Sequence, residues 1–253
     1  MELKVMSFNL RTDTPKDGIN AFSERYPRVL EVIRNEKPDL IGFQEVKPNM
    51  RSCLREHLPE YTFQGCGRNA DGSGESMLIA YRTDETELLS LENFWLSHTP
   101  NVPGSSYGGD QSSCPRMALS ALLLHCPTRQ TIRLINTHLD HRGNQAKLLG
   151  SVQLVQYLST HNEHFALTGD FNAKPTSNAI QLITSALAYR GVKDCTSEIE
   201  TTFHGYGTMD HPVKIDYIFS DLPCSNAYFI PDAPVNGQYY SDHYAVCAML
   251  TID

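Results

Sequence analysis

The sequence lacks the cysteine pattern and the basic charge that would assign it to several common functional classes. Its seven cysteines are scattered and include no Cys-x-x-Cys motif, a pattern typical of free thiols and not of a disulfide framework. Lysine and arginine number 21 against 29 acidic residues, which gives a net charge of -8. This charge disfavours binding to long duplex DNA, because many phosphate contacts require a basic surface.

Membrane and targeting signals are also missing from the sequence. No apolar run approaches the roughly 20 residues that a membrane-spanning helix needs. The first residues, MELKVMSFNL, show no basic region followed by a long apolar stretch and a cleavage site. No GxxxxGK[ST] loop occurs, which excludes P-loop nucleotide hydrolases. We therefore expect a cytoplasmic protein without a membrane anchor.

Strand and helix patterns alternate in both halves of the chain. LKVMSFNLR and DLIGFQEV favour buried strands, and an amphipathic helix is predicted between them. Shorter strands follow, with a Pro/Gly/Ser-rich loop at residues 99–115, and strand–helix alternation then resumes. No segment has the composition of a linker. We predict one α/β domain, residues 1–253, with two sheets packed face to face and helices outside both.

Polar residues stand at or just beyond the ends of successive apolar strands. They are Asn9, Glu45, Asn136, His138, Asp170, Asn172, Asp216, Asp242 and His243. Any one of them is more often a turn former or a helix cap. Their recurrence at strand ends predicts that they converge on one rim of the sandwich, where binding and catalytic residues commonly lie.

Four carboxylates on one rim predict a bound cation. Glu45, Asp170, Asp216 and Asp242 cannot all stay ionised at close range unless a cation holds them. Oxygen ligands favour Mg²⁺ or Mn²⁺ over Zn²⁺, and Glu45 with Asn9 is the predicted clamp. A cation held by few protein ligands is suited to bridging phosphate, so metal-assisted phosphoester hydrolysis is the predicted reaction.

The remaining rim residues supply the groups that such a hydrolysis needs. Asp170 would activate or orient the attacking water, and Asn172 would help to place it. His138 would donate a hydrogen bond to the phosphoryl oxygen as charge develops. Asp216 would orient His243, which then acts either as a base or as a stabilising imidazolium; the sequence leaves both roles open.

The ordered motifs FN, QE, NTHL, GDFN, IDYIF and SDH, between Met6 and His243, resemble the endonuclease/exonuclease/phosphatase superfamily. The resemblance implies a four-layer α/β/β/α sandwich like that of deoxyribonuclease I, with two mixed sheets and a divalent cation. By position it implies metal binding by Asn9, Glu45 and Asp242, and catalytic roles for His138, Asp170, Asn172, Asp216 and His243.

The segments GESMLIAYR, FWLSHTP, CPRMALSALL and NTHLDH resemble a bacterial branch of this superfamily whose substrates are poorly defined. This resemblance implies that Glu75 and Arg116 are pocket residues, and Arg116 could fork onto a phosphate. Asn136 and His141 complete the predicted substrate-binding set. The substrate is a phosphorylated small molecule or single-stranded nucleic acid, with monoester and diester both open, and a monomer is expected.

Two other functions are alternatives to phosphoester hydrolysis. NTHLDH resembles the HxHxDH zinc motif of metallo-β-lactamase-like hydrolases, but Asn136 stands where the first histidine ligand would be. A catalytically inactive binding module on the same fold is the other alternative. It is disfavoured because every position that must handle metal, water and phosphate carries a competent residue.

Overall fold

A computed structural model describes residues 1–252 of the chain as two six-stranded sheets. Sheet A has the order β11-β12-β1-β2-β4-β3, and sheet B has the order β5-β6-β7-β8-β10-β9. The strands of sheet A are β1 (Glu2–Asn9), β2 (Leu40–Val46), β3 (Tyr61–Gly67), β4 (Ser76–Arg82), β11 (Cys224–Phe229) and β12 (Val246–Thr251). Those of sheet B are β5 (Thr86–Trp95), β6 (Met117–His125), β7 (Gln130–His138), β8 (His164–Asp170), β9 (Lys193–Asp194) and β10 (Asp216–Ser220).

Four α-helices cover the outer faces of the two sheets. They are α1 (Phe22–Glu36), α2 (Pro48–His57), α3 (Asn144–Ser159) and α4 (Asn178–Ala186). α1 and α2 pack with sheet A in one apolar cluster, and α3 and α4 pack with sheet B in another. A third cluster fills the space between the sheets. The predicted α/β/β/α sandwich is therefore confirmed.

The first strand shows why its sequence is apolar on both faces. Leu3 and Val5 point into the layer between the sheets, whereas Met6 and Phe8 point towards the helices. Successive side chains of a strand alternate between faces, so a strand covered on both sides reads as a continuous apolar run. Both sheets are mixed, because β1 runs parallel to β2 and β7 runs parallel to β8 within otherwise antiparallel sheets.

This topology places the ends of several strands at one edge of the sandwich. β1, β7 and β8 end there on Asn9, His138 and Asp170. β10 is antiparallel to β8, and its first residue, Asp216, pairs with Asp170. Within residues 1–252, no helix combines the length and the hydropathy required to traverse a bilayer.

Candidate active site

Three carboxylates at this edge form an acid cluster, Glu45, Asp170 and Asp242. Nδ2 of Asn9 lies between two of them, 3.3 Å from Oε1 of Glu45 and 3.0 Å from Oδ2 of Asp170. Burial raises the pKa of Asp242, and the charge of Glu45 raises it further. Burial and the charge of the neighbouring Asp216 raise the pKa of Asp170 to about 7. Burial and neighbouring carboxylates therefore disfavour the ionised forms of Asp170 and Asp242.

Glu45 reaches this cluster through an unusual backbone conformation. Its φ is 63°, in the left-handed region that non-glycine residues rarely adopt. The pairing of β2 with β4 is irregular between Phe43 and Val46, as in a β-bulge, which re-aims a side chain at a strand end. The backbone amide of Thr12 donates to Oε2 of Glu45 at 2.8 Å and fixes the carboxylate. Strain of this kind clusters at functional sites.

His243 and Asp216 form a buried hydrogen-bonded pair beside the acid cluster. Nδ1 of His243 lies 2.8 Å from Oδ2 of Asp216, and Nε2 lies 3.8 Å from Oδ2 of Asp170. Burial alone would lower the pKa of His243, but the charge and hydrogen bond of Asp216 raise it to about 10. Asp170, Asp216 and His243 are the group within residues 1–252 whose ligand atoms all lie within 4.8 Å of one another. The hydrogen bond occupies Nδ1, so only Nε2 of His243 faces the acid cluster.

His138 lies on the opposite side of Asp170 and has the opposite electrostatic character. Its Nε2 is 3.4 Å from Oδ2 of Asp170, and its buried Nδ1 has no hydrogen-bond partner within residues 1–252. Burial and the positive charge of Arg116 hold the pKa of His138 well below its ordinary value. At neutral pH these shifts favour a neutral imidazole at His138 and an imidazolium at His243.

Arg68, Arg116 and His141 form a basic wall that faces the acid cluster. Arg116 is 5 % exposed, and its Nη2 lies 3.0 Å from Nδ1 of His141. Nε and Nη1 of Arg116 have no hydrogen-bond partner within residues 1–252, although Oδ2 of Asp140 is 3.7 Å from Nε. A buried guanidinium with free donors indicates a binding site for an anion.

The sequence interpretation missed Arg68, which reaches the basic wall through a hairpin. The backbone amide of Arg68 donates to the carbonyl of Glu75 at 3.1 Å, directly beyond the last β3–β4 pair, Gly67 and Ser76. This places Nη1 of Arg68 2.7 Å from Oε2 of Glu75. Burial raises the pKa of Glu75, and the charge of Glu45 raises it further. Arg68 could have been identified only from its position opposite Glu75 in the hairpin. That position is known only once the pairing of β3 with β4 is known.

The acid cluster and the basic wall enclose a pocket of about 380 Å³. Nine of the predicted site residues line it: Glu45, Glu75, Arg116, His138, His141, Asp170, Asn172, Asp242 and His243. Asn9 and Asp216 stand behind the lining, each hydrogen-bonded to a residue that lines it. The structure thus brings together eleven of the twelve residues that the sequence singled out.

Asn136 is the exception, because the structure does not place its side chain at the pocket. Asn136 is 0 % exposed, and its Nδ2 donates to the backbone carbonyls of Phe43 and Leu78 in the opposite sheet. Its Oδ1 accepts from Gln44 at 2.7 Å. A Cβ atom on Gly42 would lie 2.7 Å from that oxygen, so glycine is required there. Asn136 therefore links the two sheets, and its side chain does not line the pocket.

NTHLDH is not a metal cluster in this fold. Asp140 accepts hydrogen bonds from the backbone amides of Ser112, Arg142 and Gly143. The hydroxyl of Ser112 also donates to it. His141 turns its Nδ1 to Arg116. These contacts make Asp140 the anchor of the loop at residues 99–115, and they disfavour the zinc-hydrolase alternative.

We expect Asp140→Asn to lower the free energy of unfolding at neutral pH by about 2 kcal/mol. Burial alone would raise the pKa of Asp140, but the hydrogen bonds from Ser112, Gly143 and Arg142 lower it from 3.8 to about 2. A pKa that is lower in the folded state means that the ionised group stabilises the fold above about pH 4. That stabilisation is lost as the pH falls towards about 2.

Urea unfolding of the wild type and Asp140→Asn at pH 7 and pH 3 measures this effect. The difference between the two proteins should shrink at the lower pH. Asp210→Asn, on an exposed turn, serves as the control. An equal difference at both pH values would show that the charge of Asp140 does not stabilise the fold.

Comparisons with known proteins give one family and one fold. The sequence profile of the Endonuclease/Exonuclease/phosphatase family matches residues 6–243. The structure of an endonuclease/exonuclease/phosphatase from Bacteroides vulgatus is 30 % identical, with a TM-score of 0.91 and 100 % of both chains covered. A mannosyl-6-phosphatase from Bacteroides thetaiotaomicron is 25 % identical, with a TM-score of 0.88, covering 99 % of this chain and 100 % of that one.

A curated relative from Saccharomyces cerevisiae, described as a probable RNA exonuclease, is 23 % identical over 205 residues. The match covers 73 % of this chain and 40 % of the length of that relative. These relatives carry both phosphatase and nuclease names.

Proposed function

Because this chain belongs to the endonuclease/exonuclease/phosphatase family, we propose that it hydrolyses phosphoesters with Mg²⁺ or Mn²⁺ as its cofactor. One observation carries this proposal: a crowded acid cluster and a buried arginine with free donors face each other across one small pocket. The first attracts a divalent cation and the second an anion, so a phosphate ester bound with a cation satisfies both. We treat residues 1–253 as one catalytic domain, because the pocket draws on both sheets.

The residues of the acid cluster fit a divalent cation. Burial raises the pKa of Asp170 and of Asp242, and the charge of Glu45 adds to both shifts; a bound cation would favour the ionised carboxylates. Glu45 and Asp242 would hold the ion, and their oxygen donors suit Mg²⁺ or Mn²⁺. When bound, the cation polarises the phosphoryl oxygen and offsets its charge. The amide of Asn9 donates to Glu45 and Asp170, so we assign Asn9 to positioning these carboxylates and not to the ligand set.

The other residues of the pocket orient the water and the phosphoryl group. Asp170 accepts the proton of the attacking water, and the backbone amide of Asn172 holds its Oδ1 at 2.8 Å. His243, oriented by Asp216, and neutral His138 donate to the phosphoryl oxygens from either side of Asp170. Water adds to phosphorus while the ester P–O bond breaks, and the leaving oxygen takes up a proton.

We propose a phosphomonoester of a small molecule as the substrate. Arg116 sits deep in a pocket of limited volume, where it can fork onto a terminal phosphate. Among the residues that line the pocket, the aromatic ring of Phe203 is occupied, since it packs on His243 with ring centroids 4.7 Å apart. A flat platform for stacking nucleobases is therefore not formed by the described lining residues. The mannosyl-6-phosphatase relative supports the same choice.

A substrate screen tests the proposed function. Purified protein with Mg²⁺ or Mn²⁺ is assayed on nitrophenyl phosphate, bis-nitrophenyl phosphate, single-stranded RNA and DNA, inositol phosphates and sphingomyelin. Turnover of monoesters in preference to diesters is expected. Turnover of diesters or oligonucleotides alone would replace the monoesterase with a phosphodiesterase, and no turnover of any ester would favour a binding module.

The cytoplasmic location and the monomeric state stay predictions.

We expect Glu45→Gln to weaken Mn²⁺ binding about tenfold, because the loss of one ligand interaction of about 1.4 kcal/mol corresponds to that factor. Calorimetric titration of the purified protein with MnCl₂ measures the affinity without relying on turnover. Glu60→Gln, an exposed substitution remote from the pocket, is the matched control. Equal Mn²⁺ affinity in Glu45→Gln and wild type would remove Glu45 from the ligand set. Tight binding of zinc alone would revive the zinc-hydrolase alternative.

A further inference from the structure

A second cavity lies beside the pocket, at the same edge of the sandwich. This groove measures about 720 Å³ and opens between the first turns of α3 and α4. Both helices begin at this edge because they follow β7 and β8, the parallel strands that end there. Asn172 lines both cavities, so the groove and the pocket are neighbours that share this residue.

The groove contains a buried lysine that lacks an anionic partner. Lys147 is 9 % exposed, and its Nζ donates to the backbone carbonyl of Asn172 at 3.2 Å. Within residues 1–252 no carboxylate forms an ion pair with it, although an ammonium group carries three donors. Burying a cation without a paired anion is unfavourable. An anion bound in the groove would supply the missing partner.

Other features of the groove add positive charge and hydrogen-bonding groups. Lys174 lies on its exposed side, and Thr176, Ser177 and Asn178 contribute hydroxyl and amide groups. The helix N-termini themselves contribute little. The side chain of Asp110 accepts from the first-turn amides of α3, and Ser177 accepts from the amide of Ile180 in α4. The charge of the groove therefore rests on the two lysines.

We infer that this groove binds a second phosphate ester of the same substrate molecule, so that the substrate class is a small bisphosphorylated compound such as a sugar bisphosphate. The inference rests on the proposed function, because the first phosphate must lie in the pocket against Arg116. Because the two cavities adjoin at Asn172, one molecule would have to span that residue to occupy both. Lys147 then acts as a point charge for the second phosphate, the role in which lysine commonly binds phosphate.

Phosphate release from fructose 1,6-bisphosphate and from fructose 6-phosphate, with Mg²⁺ present, tests this inference. The wild type should show a higher kcat/KM for the bisphosphate by about tenfold, through KM. Lys147→Met should reduce that ratio about tenfold, and Lys147→Arg should restore most of it, since the charge is kept. Lys193→Gln removes an exposed lysine outside both cavities and should leave the ratio unchanged.

Each outcome separates the groove from the pocket. Turnover of either sugar phosphate supports the proposed function, whereas the ratio between them reports on the groove. A wild-type ratio near one, or a ratio that Lys147→Met leaves intact, would overturn the inference while the hydrolase stands. Oligonucleotide turnover that depends on Lys147, with no preference for the bisphosphate, would also overturn it. If Lys147→Met does not fold, Lys174→Gln should still lower the ratio.

Discussion

Asp170→Ala is expected to lower kcat by at least about 100-fold, as typical acid–base residues do. Asp170 is the residue on which the site converges. Its Oδ2 receives the amide of Asn9 and lies 3.4 Å from His138 and 3.8 Å from His243. Its Oδ1 receives the amide of Asn172. Removal of this carboxylate takes away the proposed acceptor for the proton of the attacking water.

Steady-state turnover of nitrophenyl phosphate by the purified variant measures the effect of Asp170→Ala. His243→Ala should cause a loss of similar size, because the proposed hydrogen bond from Nε2 of His243 to a phosphoryl oxygen is then lost. The loss should appear in kcat more than in KM, since these contacts strengthen as charge develops. Asp210→Ala, an exposed substitution, is the control.

Loss of the fold must be separated from loss of chemistry. The pKa of Asp170 is raised to about 7, which means that the ionised carboxylate is disfavoured at this buried position. Replacement by the neutral asparagine in Asp170→Asn should therefore leave the thermal transition close to that of the wild type. Asp170→Asn should still lack activity. Wild-type turnover in a folded Asp170→Asn protein would show that this carboxylate does not take part in the reaction.

Arg116→Met is expected to lower kcat/KM by about 100-fold while leaving the thermal stability unchanged or raised. Two charge-assisted hydrogen bonds of about 1.5 kcal/mol each correspond to that factor. Nε and Nη1 of Arg116 make no such bonds within residues 1–252. The folded protein therefore bears the unfavourable burial of a guanidinium, and an apolar side chain of similar length removes it.

A fall in kcat/KM without a fall in thermal stability would distinguish a phosphate-binding arginine from a structural one. Asp140 keeps its hydrogen bonds from Ser112, Arg142 and Gly143 when Arg116 is replaced, so the loop stays anchored. Arg116→Lys should recover only part of the activity, because lysine lacks the forked donors. Arg133→Met gives the contrast, since Arg133 is buried but pairs with Glu163 at 2.9 Å and should lose stability. A fall in stability of Arg116→Met like that of Arg133→Met would assign Arg116 to structure.

The sequence allowed most of the site to be predicted because strand ends are visible in the chain. Asn9, His138 and Asp170 each close an apolar run, and the parallel pairs β1–β2 and β7–β8 bring such ends to one edge. The fold followed from the same alternation of strands and helices, together with the family resemblance.

The features that escaped prediction depend on contacts between distant segments. Asn136 belongs to a strand end like its neighbours, but the close approach of the two sheets at Gly42 makes it a link between them. Arg25 reads as a polar position on α1. Yet it is buried and donates to the carbonyls of Leu10, Arg11 and Tyr240, which fixes the loop that follows β1. Neither register nor packing of this kind is encoded in local periodicity.

The first and last strands lie side by side, with β1 paired to β12 over six residues. Asp242 and His243 directly precede β12, whereas Asn9 closes β1. This arrangement determines when the site can be assembled during synthesis. A nascent chain that already contains Glu45, His138 and Asp170 still lacks the imidazole of His243. Its β1 also has one unpaired edge, because β12 has not yet been made. The proposed active site can therefore be complete only after β12 has left the ribosome and paired with the strand that was made first.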